Sequence, residues 1–387
     1  MKIALRSAHI ILVAATLVVS GCAELAYYGH AAAGQLEVMN NRRPIPEVIA
    51  DPQTPAELRE RLQYIEQAHA FAIHELHLPD TASYRSYSDV GRPYVLWNVF
   101  ATPELSLQQK QWCYPFVDCH GSRPFFNEQC AHDLADDLRA EGWDVHVAPS
   151  PAYSTRGWFA DPVYNSVLRY PALDSVAILF HELAHEKVYL ENDSQANESF
   201  AMTVQLEGVR RWLAHQQQGE DFADYALNRQ RDEIFIGLLL EYRSRLHELY
   251  ASQKPPRHKR AAKRRILNRL RRAYGVLKES WQGYAGYDHW FKKGLNNAVL
   301  APVGTYHQDV PAFQALLAQQ QGNLPAFYRA VAELADMEAG QRRRLLDNLS
   351  AAYPRYKYSG TTSSMAVGVP NLGGKGSSQT LSTVSDR

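Results

Sequence analysis

The chain is organised around His181-Glu182-Leu183-Ala184-His185, which lies within an apolar run from Pro171 to Leu190. Hydrophobic residues occupy nearly every side of this run, which predicts a helix that is buried almost all round. Residues four apart share one face of a helix, so the imidazoles of His181 and His185 would point at the same place. Two histidines and a glutamate are costly in so apolar a helix unless something pairs with them, and this favours a metal ion.

A catalytic zinc site requires a third protein ligand and keeps one position open. The sequence predicts that the chain reverses after Leu190 and returns as a helix from Ser194. Packed helices lie about 8–10 Å apart, so Glu198, one turn into the second helix, would reach the same ion. Glu191 and Asp193 are the alternatives. Glu191 lacks a preceding glycine that would fold the chain back onto the ion, and Asp193 is better placed to cap the second helix.

This pattern predicts one zinc ion per chain, held by His181, His185 and Glu198. Glu182 lies about 100 degrees round the helix from His181. From there its carboxylate could act as the general base toward a water molecule at the same point. The alternative is a buried helix with two hydrogen-bonded histidines, since this five-residue pattern also arises by chance in unrelated chains.

The start of the chain has the pattern of an export signal. Two basic residues precede an apolar run at Ile10–Val19, which is too short to span a bilayer. Small residues then lead to Cys22, as in a bacterial lipobox, so we expect a lipoprotein signal peptide at 1–21 and a lipid on Cys22. An ordinary signal peptide is the alternative. Ala23, in place of an aspartate, favours the periplasmic face of the outer membrane of a Gram-negative bacterium.

The charged residues are balanced over the whole chain, with 41 Lys and Arg against 41 Asp and Glu. Overall charge therefore gives no indication of a nucleic-acid partner. Ten basic residues are concentrated at 254–272. A solvated helix face is the favoured interpretation of this stretch, and contact with anionic lipid headgroups is the alternative.

The run from His181 to Ala201 resembles that of the bacterial "putative zinc aminopeptidases", a periplasmic family. The resemblance extends over most of the chain from about 25 to 340, through Ser83–Tyr87, Trp97–Ser106, Trp112–Pro115, Ala152–Pro162 and Asn296–Ala298. It implies a zincin-like fold and an enzyme that removes N-terminal residues from peptides. Arg156 stands where Leu is expected and Gly121–Phe125 is altered, which implies a different specificity with zinc binding retained.

We therefore expect an α+β fold that is predominantly α-helical. A tether and extended segment at 22–53 would lead into one metallopeptidase domain at 54–353. That domain would have a small β part at about 83–148, ahead of the metal-binding helix, and a helical body at about 164–353. Residues 354–387 are rich in Gly, Ser and Thr, which predicts a disordered tail.

Three cysteines follow Cys22 in the sequence. Cys113 and Cys119 are near enough to close a small disulfide loop in an oxidising compartment, which leaves Cys130 over. A cysteine-rich metal site is the alternative, but it would lack a fourth ligand.

Peptide hydrolysis also needs a group that stabilises the oxyanion. Tyr153, in the loop before the metal-binding helix, is the first candidate, and Arg156 is the second. A packing role is the alternative for Tyr153. Asp161 is a candidate to orient a ligand histidine, and Asn197 matches the Asn-Glu pair of many zinc peptidases.

Aminopeptidase activity follows from the resemblance alone. No amine-binding motif is evident, and Glu104, in a matched segment, is the one weak candidate. An endopeptidase acting on periplasmic proteins or cell-wall peptides is the alternative enzyme. A lipoprotein scaffold with a structural zinc is the non-enzymatic alternative, although a structural site needs no base such as Glu182. The expected partners are a peptide substrate and, through the lipid, the membrane.

Overall fold

A computed structural model describes residues 24–114, 117–155, 159–216, 219–292 and 294–353. The predicted signal peptide at 1–21, the lipid site at Cys22, Arg156 and the tail at 354–387 lie outside these residues. Within them the fold is mainly helical with small sheets of two or three strands, which confirms the predicted α+β class. The zincin-like fold stays a prediction.

The strands of the described chain all lie before residue 165, interspersed with helices, and from Ala172 onward the chain forms helices and their connecting turns. The strands are β1 (Arg42–Pro44), β2 (Ser86–Ser88), β3 (Leu96–Pro103), β4 (Trp112–Tyr114), β5 (Val117–His120), β6 (Ser122–Phe125), β7 (Trp143–Ser150) and β8 (Val163–Tyr164). The helices are α1 (24–40), α2 (Ile45–Ala50), α3 (Ala56–His74), α4 (Glu128–Ala140), α5 (Ala172–His185), α6 (Ser194–Gln216), α7 (Gly219–Ala251), α8 (Pro256–Ser280), α9 (His289–Lys292), α10 (Asn297–His307), α11 (Val310–Gln319), α12 (Leu324–Ala335) and α13 (Ala339–Ala352).

The strands form three small sheets. β3 is the central strand of an antiparallel sheet in the order β6-β3-β7, and one face of this sheet packs against α4. β1, β2 and β8 form a second sheet, in which β2 and β8 are parallel. β4 and β5 form a hairpin that the predicted disulfide between Cys113 and Cys119 closes, and Cys130 is free.

α5 and α6 lie at the centre of the largest hydrophobic core. Phe180 and Leu183 of α5 are completely buried, as the apolar run predicts. Phe180 packs against Gly208 late in α6, whereas the end of α5 meets Glu198 early in α6. The two helices therefore run antiparallel, which is the arrangement that the predicted chain reversal requires.

The segment at 22–53 differs from the expected tether. Residues 24–40 form α1, and Tyr27, Gly34 and Val38 share its inward face. Gly34 approaches the ring of Phe126 so closely that a Cβ atom would overlap with it. Arg123 of β6 donates two hydrogen bonds to the carboxylate of Glu24. The alanines and small polar residues of this segment thus form a packed helix in place of a linker.

A second difference is α10, at Asn297–His307, which the sequence pattern does not predict as a helix. Pro302 and Gly304 lie inside it, and both residues normally argue against a helix interior. Between α8 and α10 the helical body is interrupted by turns and the short α9, because α8 ends at Ser280 and Gly283 has a positive φ of 86°.

The basic stretch lies on α8 and has two sides. Lys263 is 7% exposed and forms an ion pair with Asp144 of β7, so one basic residue holds α8 to the small sheet. Most of the arginines lie on the opposite, exposed side, in agreement with the solvated face that the sequence favours. No described helix is long and apolar enough to span a bilayer.

Replacing Gly208 by alanine should destabilise the packing of α5 on α6. A Cβ atom there would lie 2.8 Å from Cδ2 of Phe180 and 2.9 Å from Cδ1 of Leu76, and both side chains are fully buried. We expect the free energy of unfolding, measured by urea denaturation, to fall by about 1–3 kcal/mol. Gly275→Ala in α8 is the matched control, because nothing lies within 4 Å of its Cβ position, and it should stabilise by up to about 1 kcal/mol. Equal effects of the two changes would contradict this packing.

Candidate metal centre

The last turn of α5 and the first turns of α6 bring His181, His185 and Glu198 together. The two Nε2 atoms lie 3.3 Å apart. Oε2 of Glu198 lies 3.2 Å from Nε2 of His181 and 3.6 Å from Nε2 of His185. Among the residues that the structure describes, this trio is the group of metal-binding side chains that converges in this way. The three predicted ligands thus meet at one point.

The three facing atoms form a nearly equilateral triangle. Ligands about 2.0–2.1 Å from a tetrahedral zinc ion lie roughly 3.4 Å from one another. The observed edges of 3.2, 3.3 and 3.6 Å agree with that separation. Two imidazole nitrogens and one carboxylate oxygen are also ligand atoms that zinc prefers. The trio therefore fits a zinc ion with its fourth position open.

The turn between α5 and α6 is fixed by Asn197. Its side chain, which is 3% exposed, donates to the carbonyl of Leu190 and accepts from the N–H of the same residue. Asp193 accepts from the N–H of Ala196 and from Nε of Arg342, so it caps α6. Asn197 is therefore a positioning residue for its neighbour Glu198, and Asp193 has the capping role that the sequence favours over metal ligation.

Burial raises and the two histidines lower the pKa of each glutamate of the site, and the balance of these effects differs between the two. Burial alone would raise the pKa of Glu198, but His185 and His181 outweigh it and hold this pKa well below its usual range. The pKa of Glu182 is raised, because its burial exceeds the opposing effect of His181 and His185. Glu198 is thus suited to remain an anionic ligand, and Glu182 to accept a proton.

Tyr306 of α10 also belongs to this site, and the sequence did not identify it. Its ring stacks on that of His181, with the centroids 6.4 Å apart and the planes at 25°. The negative charge of Glu198, then burial, then Glu182 raise the pKa of Tyr306 well above its usual value. The hydroxyl therefore stays protonated and can donate a hydrogen bond. The side chain is 36% exposed, so a substrate could reach it.

The structure does not bring Tyr153 to the trio. Its hydroxyl donates to the side-chain carbonyl of Gln35 on α1, and its ring stacks on Tyr164 with the centroids 5.6 Å apart. These contacts place Tyr153 in a small core beneath α1. The observed contacts are those of the packing alternative, and oxyanion donation by Tyr153 stays a prediction that none of these contacts supports. Arg156, the second candidate, lies outside the described residues.

Asp161 is not bonded to a ligand histidine. Its carboxylate accepts hydrogen bonds from the N–H and the hydroxyl of Thr155. Within the described residues, Nδ1 of His181 is buried without a hydrogen-bond partner. Asp161 nevertheless lies near the base: burial first, then Glu182 and Glu186, raise its pKa to about 7 against the hydrogen bonds from Thr155.

Glu104, the weak candidate for amine binding, pairs with Arg260 of α8 at 2.7 Å. This contact holds α8 beside the end of β3, so the structure gives Glu104 a packing role away from the trio.

Asp161→Asn should change how stability depends on pH. The folded protein raises the pKa of Asp161 from 3.8 to about 7, so ionisation costs the folded protein more than the unfolded chain. The contribution of Asp161 to stability is then most favourable below pH 4 and is lost as the pH rises toward 7. Relative to the Asn variant, the wild type should lose up to about 4 kcal/mol over this interval. Urea denaturation of the metal-free proteins at a series of pH values measures this difference. Asp137→Asn, at an exposed position of α4, should keep the wild-type profile, and parallel profiles for all three proteins would contradict the assignment.

Comparison with known proteins adds one finding to this geometry. No curated protein and no solved structure matches the chain. A protein-family model described as "Putative aminopeptidase" matches residues 26–346, which confirms the resemblance seen in the sequence. That description supports a peptidase. Because the match covers most of the chain, the protein belongs to this aminopeptidase family.

Proposed function

We propose that the protein is a zinc-dependent peptidase that removes N-terminal residues from peptides. The observation that carries this proposal is the triangle formed by His181, His185 and Glu198, with Glu182 beside it. A structural zinc site would need four protein ligands and no adjacent base. Three convergent ligands, an adjacent glutamate and an accessible tyrosine favour a catalytic site over a scaffold.

Each residue of the site has a distinct task in peptide hydrolysis. When bound, zinc supplies Lewis-acid polarisation of the peptide carbonyl and of the attacking water. Glu182 accepts a proton from the water as it attacks, and then delivers this proton to the leaving amine. Its raised pKa favours this transfer, since a base works best when its pKa lies nearer the working pH.

Tyr306 has the geometry for the remaining task, which is to stabilise the oxyanion. Its hydroxyl keeps its proton beside two carboxylates, and its ring stacks on that of the ligand His181. A donor that meets the developing negative charge lowers the barrier more than it strengthens substrate binding. Tyr306 thus replaces Tyr153 in the proposed mechanism.

The proposed location is the periplasmic face of the outer membrane. It rests on the sequence before Cys22, where a basic start, a short apolar run and small residues are typical of a lipoprotein signal peptide. A lipid on Cys22 would hold the enzyme at the membrane. An endopeptidase at the same location is the second candidate, because the trio and Glu182 would serve either reaction.

Glu182→Gln should abolish peptide hydrolysis and leave zinc in place. The amide cannot accept the proton, so we expect kcat to fall by about 10²–10⁴-fold. Elemental analysis should still give about one zinc per chain. Glu186→Gln is the matched control, since Glu186 lies one turn further along and accepts from Thr81. An active Glu182→Gln variant, or a wild type that binds no zinc, would overturn the proposed function.

Tyr306→Phe should lower kcat and leave both KM and the zinc content nearly unchanged. The lost hydroxyl would act only in the transition state, and removal of one such donor costs about 10²–10³-fold in kcat. Tyr153→Phe is the control, because its hydroxyl binds Gln35 within a core; it should reduce the melting temperature and spare kcat. The opposite pattern would return the role to Tyr153.

A further inference from the structure

A cavity of about 610 Å³ lies beside the metal centre, between α6, α7, α10 and α11. Met202 and Leu206 line it on α6, one and two turns after Glu198, so the cavity and the trio lie along the same side of this helix. His307 lines it on α10, directly after Tyr306. The cavity and the metal centre therefore share two walls.

The cavity combines apolar walls with a charged end. The apolar walls come from α6, α7, α9 and α11 and include Met202, Leu206, Ile236, Leu240, Trp290 and Val310. The charged end is formed by Arg229, Asp232 and Glu233 of α7. A volume of this size suits a ligand of several residues, and cavities of this kind hold ligands through apolar contact and a few placed polar groups.

The charges at that end do not cancel. Arg229 lies 3.6 Å from Asp232 and 3.3 Å from Glu233, so among the described ion pairs one cation serves both carboxylates. Tyr287 donates a neutral hydrogen bond to Asp232 at 2.5 Å, which adds no positive charge. The side chains of Asp232 and Glu233 are 43% and 56% exposed and have room for another donor.

The histidine that lines the cavity adds no positive charge. Burial first, then Arg229 and His181, lower the pKa of His307 to about 4, so this histidine is neutral near pH 7. An anionic ligand would be repelled here, and a cationic one attracted.

We propose that this cavity binds the cationic end of a peptide substrate, with Asp232 and Glu233 as its anionic partners. The cation is an ammonium or guanidinium group, supplied either by a free N-terminus or by a Lys or Arg side chain. The apolar walls hold the neighbouring side chain while the adjoining backbone reaches the trio. This inference rests on the proposed function, because it assigns the peptide's orientation at the same metal centre.

The test measures binding without catalysis. The zinc-loaded Glu182→Gln protein is titrated by calorimetry with three tripeptide amides. The first has uncharged side chains and a free N-terminus, the second is the same peptide with its N-terminus acetylated, and the third is an acetylated peptide that contains lysine. We expect the acetylated neutral peptide to bind at least about tenfold more weakly than a peptide with a positive charge. If acetylation weakens binding and lysine does not restore it, the cation is the free N-terminus. If lysine restores binding, a side chain can supply the cation.

Two variants in this background assign the preference to the cavity. Asp232→Asn with Glu233→Gln should make the cationic and neutral peptides bind equally, and Glu233→Gln alone, at the more exposed position, covers the case in which the double variant fails to fold. Glu248→Gln, at an exposed site further along α7, should keep the wild-type preference.

The inference is overturned if the neutral acetylated peptide binds as well as the others, if no peptide binds, or if the variants retain the preference. Failure of the proposed function has a different signature. In that case the wild type would hydrolyse none of these peptides, while the charge preference in binding would persist and depend on Asp232 and Glu233.

Discussion

The structure depends on one constraint: three polar side chains must meet where α5 and α6 touch within the largest hydrophobic core. His181, His185 and Glu198 would each be costly alone in this core, and together they offset that cost by contacting one another. The surrounding packing and hydrogen bonds hold the two helices in the position that this contact requires. Phe180 and Gly208 set how closely α5 and α6 approach, and the buried side chain of Asn197 fixes the turn that joins them. The metal ligands are thus held by the packing of a core, and their geometry does not rely on exposed loops.

The trio could be predicted because its members are close in sequence. Helical spacing relates His181 to His185, and a short turn relates both to Glu198, so local rules were sufficient. Tyr306 could not be found in this way. It lies more than a hundred residues further along, on a helix that contains Pro302 and Gly304, and only tertiary packing places it on His181. Tyr153 illustrates the converse limit, since its position just before α5 in the sequence did not reveal that its hydroxyl bonds Gln35 of α1 within a small core.

α10 borders both the metal centre and the cavity that we propose for the substrate. Tyr306 faces the metal centre and the next residue, His307, lines the cavity. Successive residues of a helix point about 100 degrees apart, so one helix end can serve two adjoining spaces. The N-cap of this helix is held by Asn296, whose side chain bonds both Val299 and the carbonyl of Val145 in β7. The small sheet therefore supports the position of α10, which accounts for a β part in a mainly helical protein.

The helix α1 has a consequence for how the enzyme would sit at a membrane. Glu24 is bound by Arg123 of β6, and the same guanidinium lies 3.8 Å from the ring centroid of Tyr27. A lipid on Cys22 would be separated from this anchored helix by Ala23 alone. Such an enzyme would have no long linker between its lipid and its folded domain. If the proposed lipid is present, this short connection would keep the enzyme near the bilayer, where it would meet mainly the peptides close to the membrane.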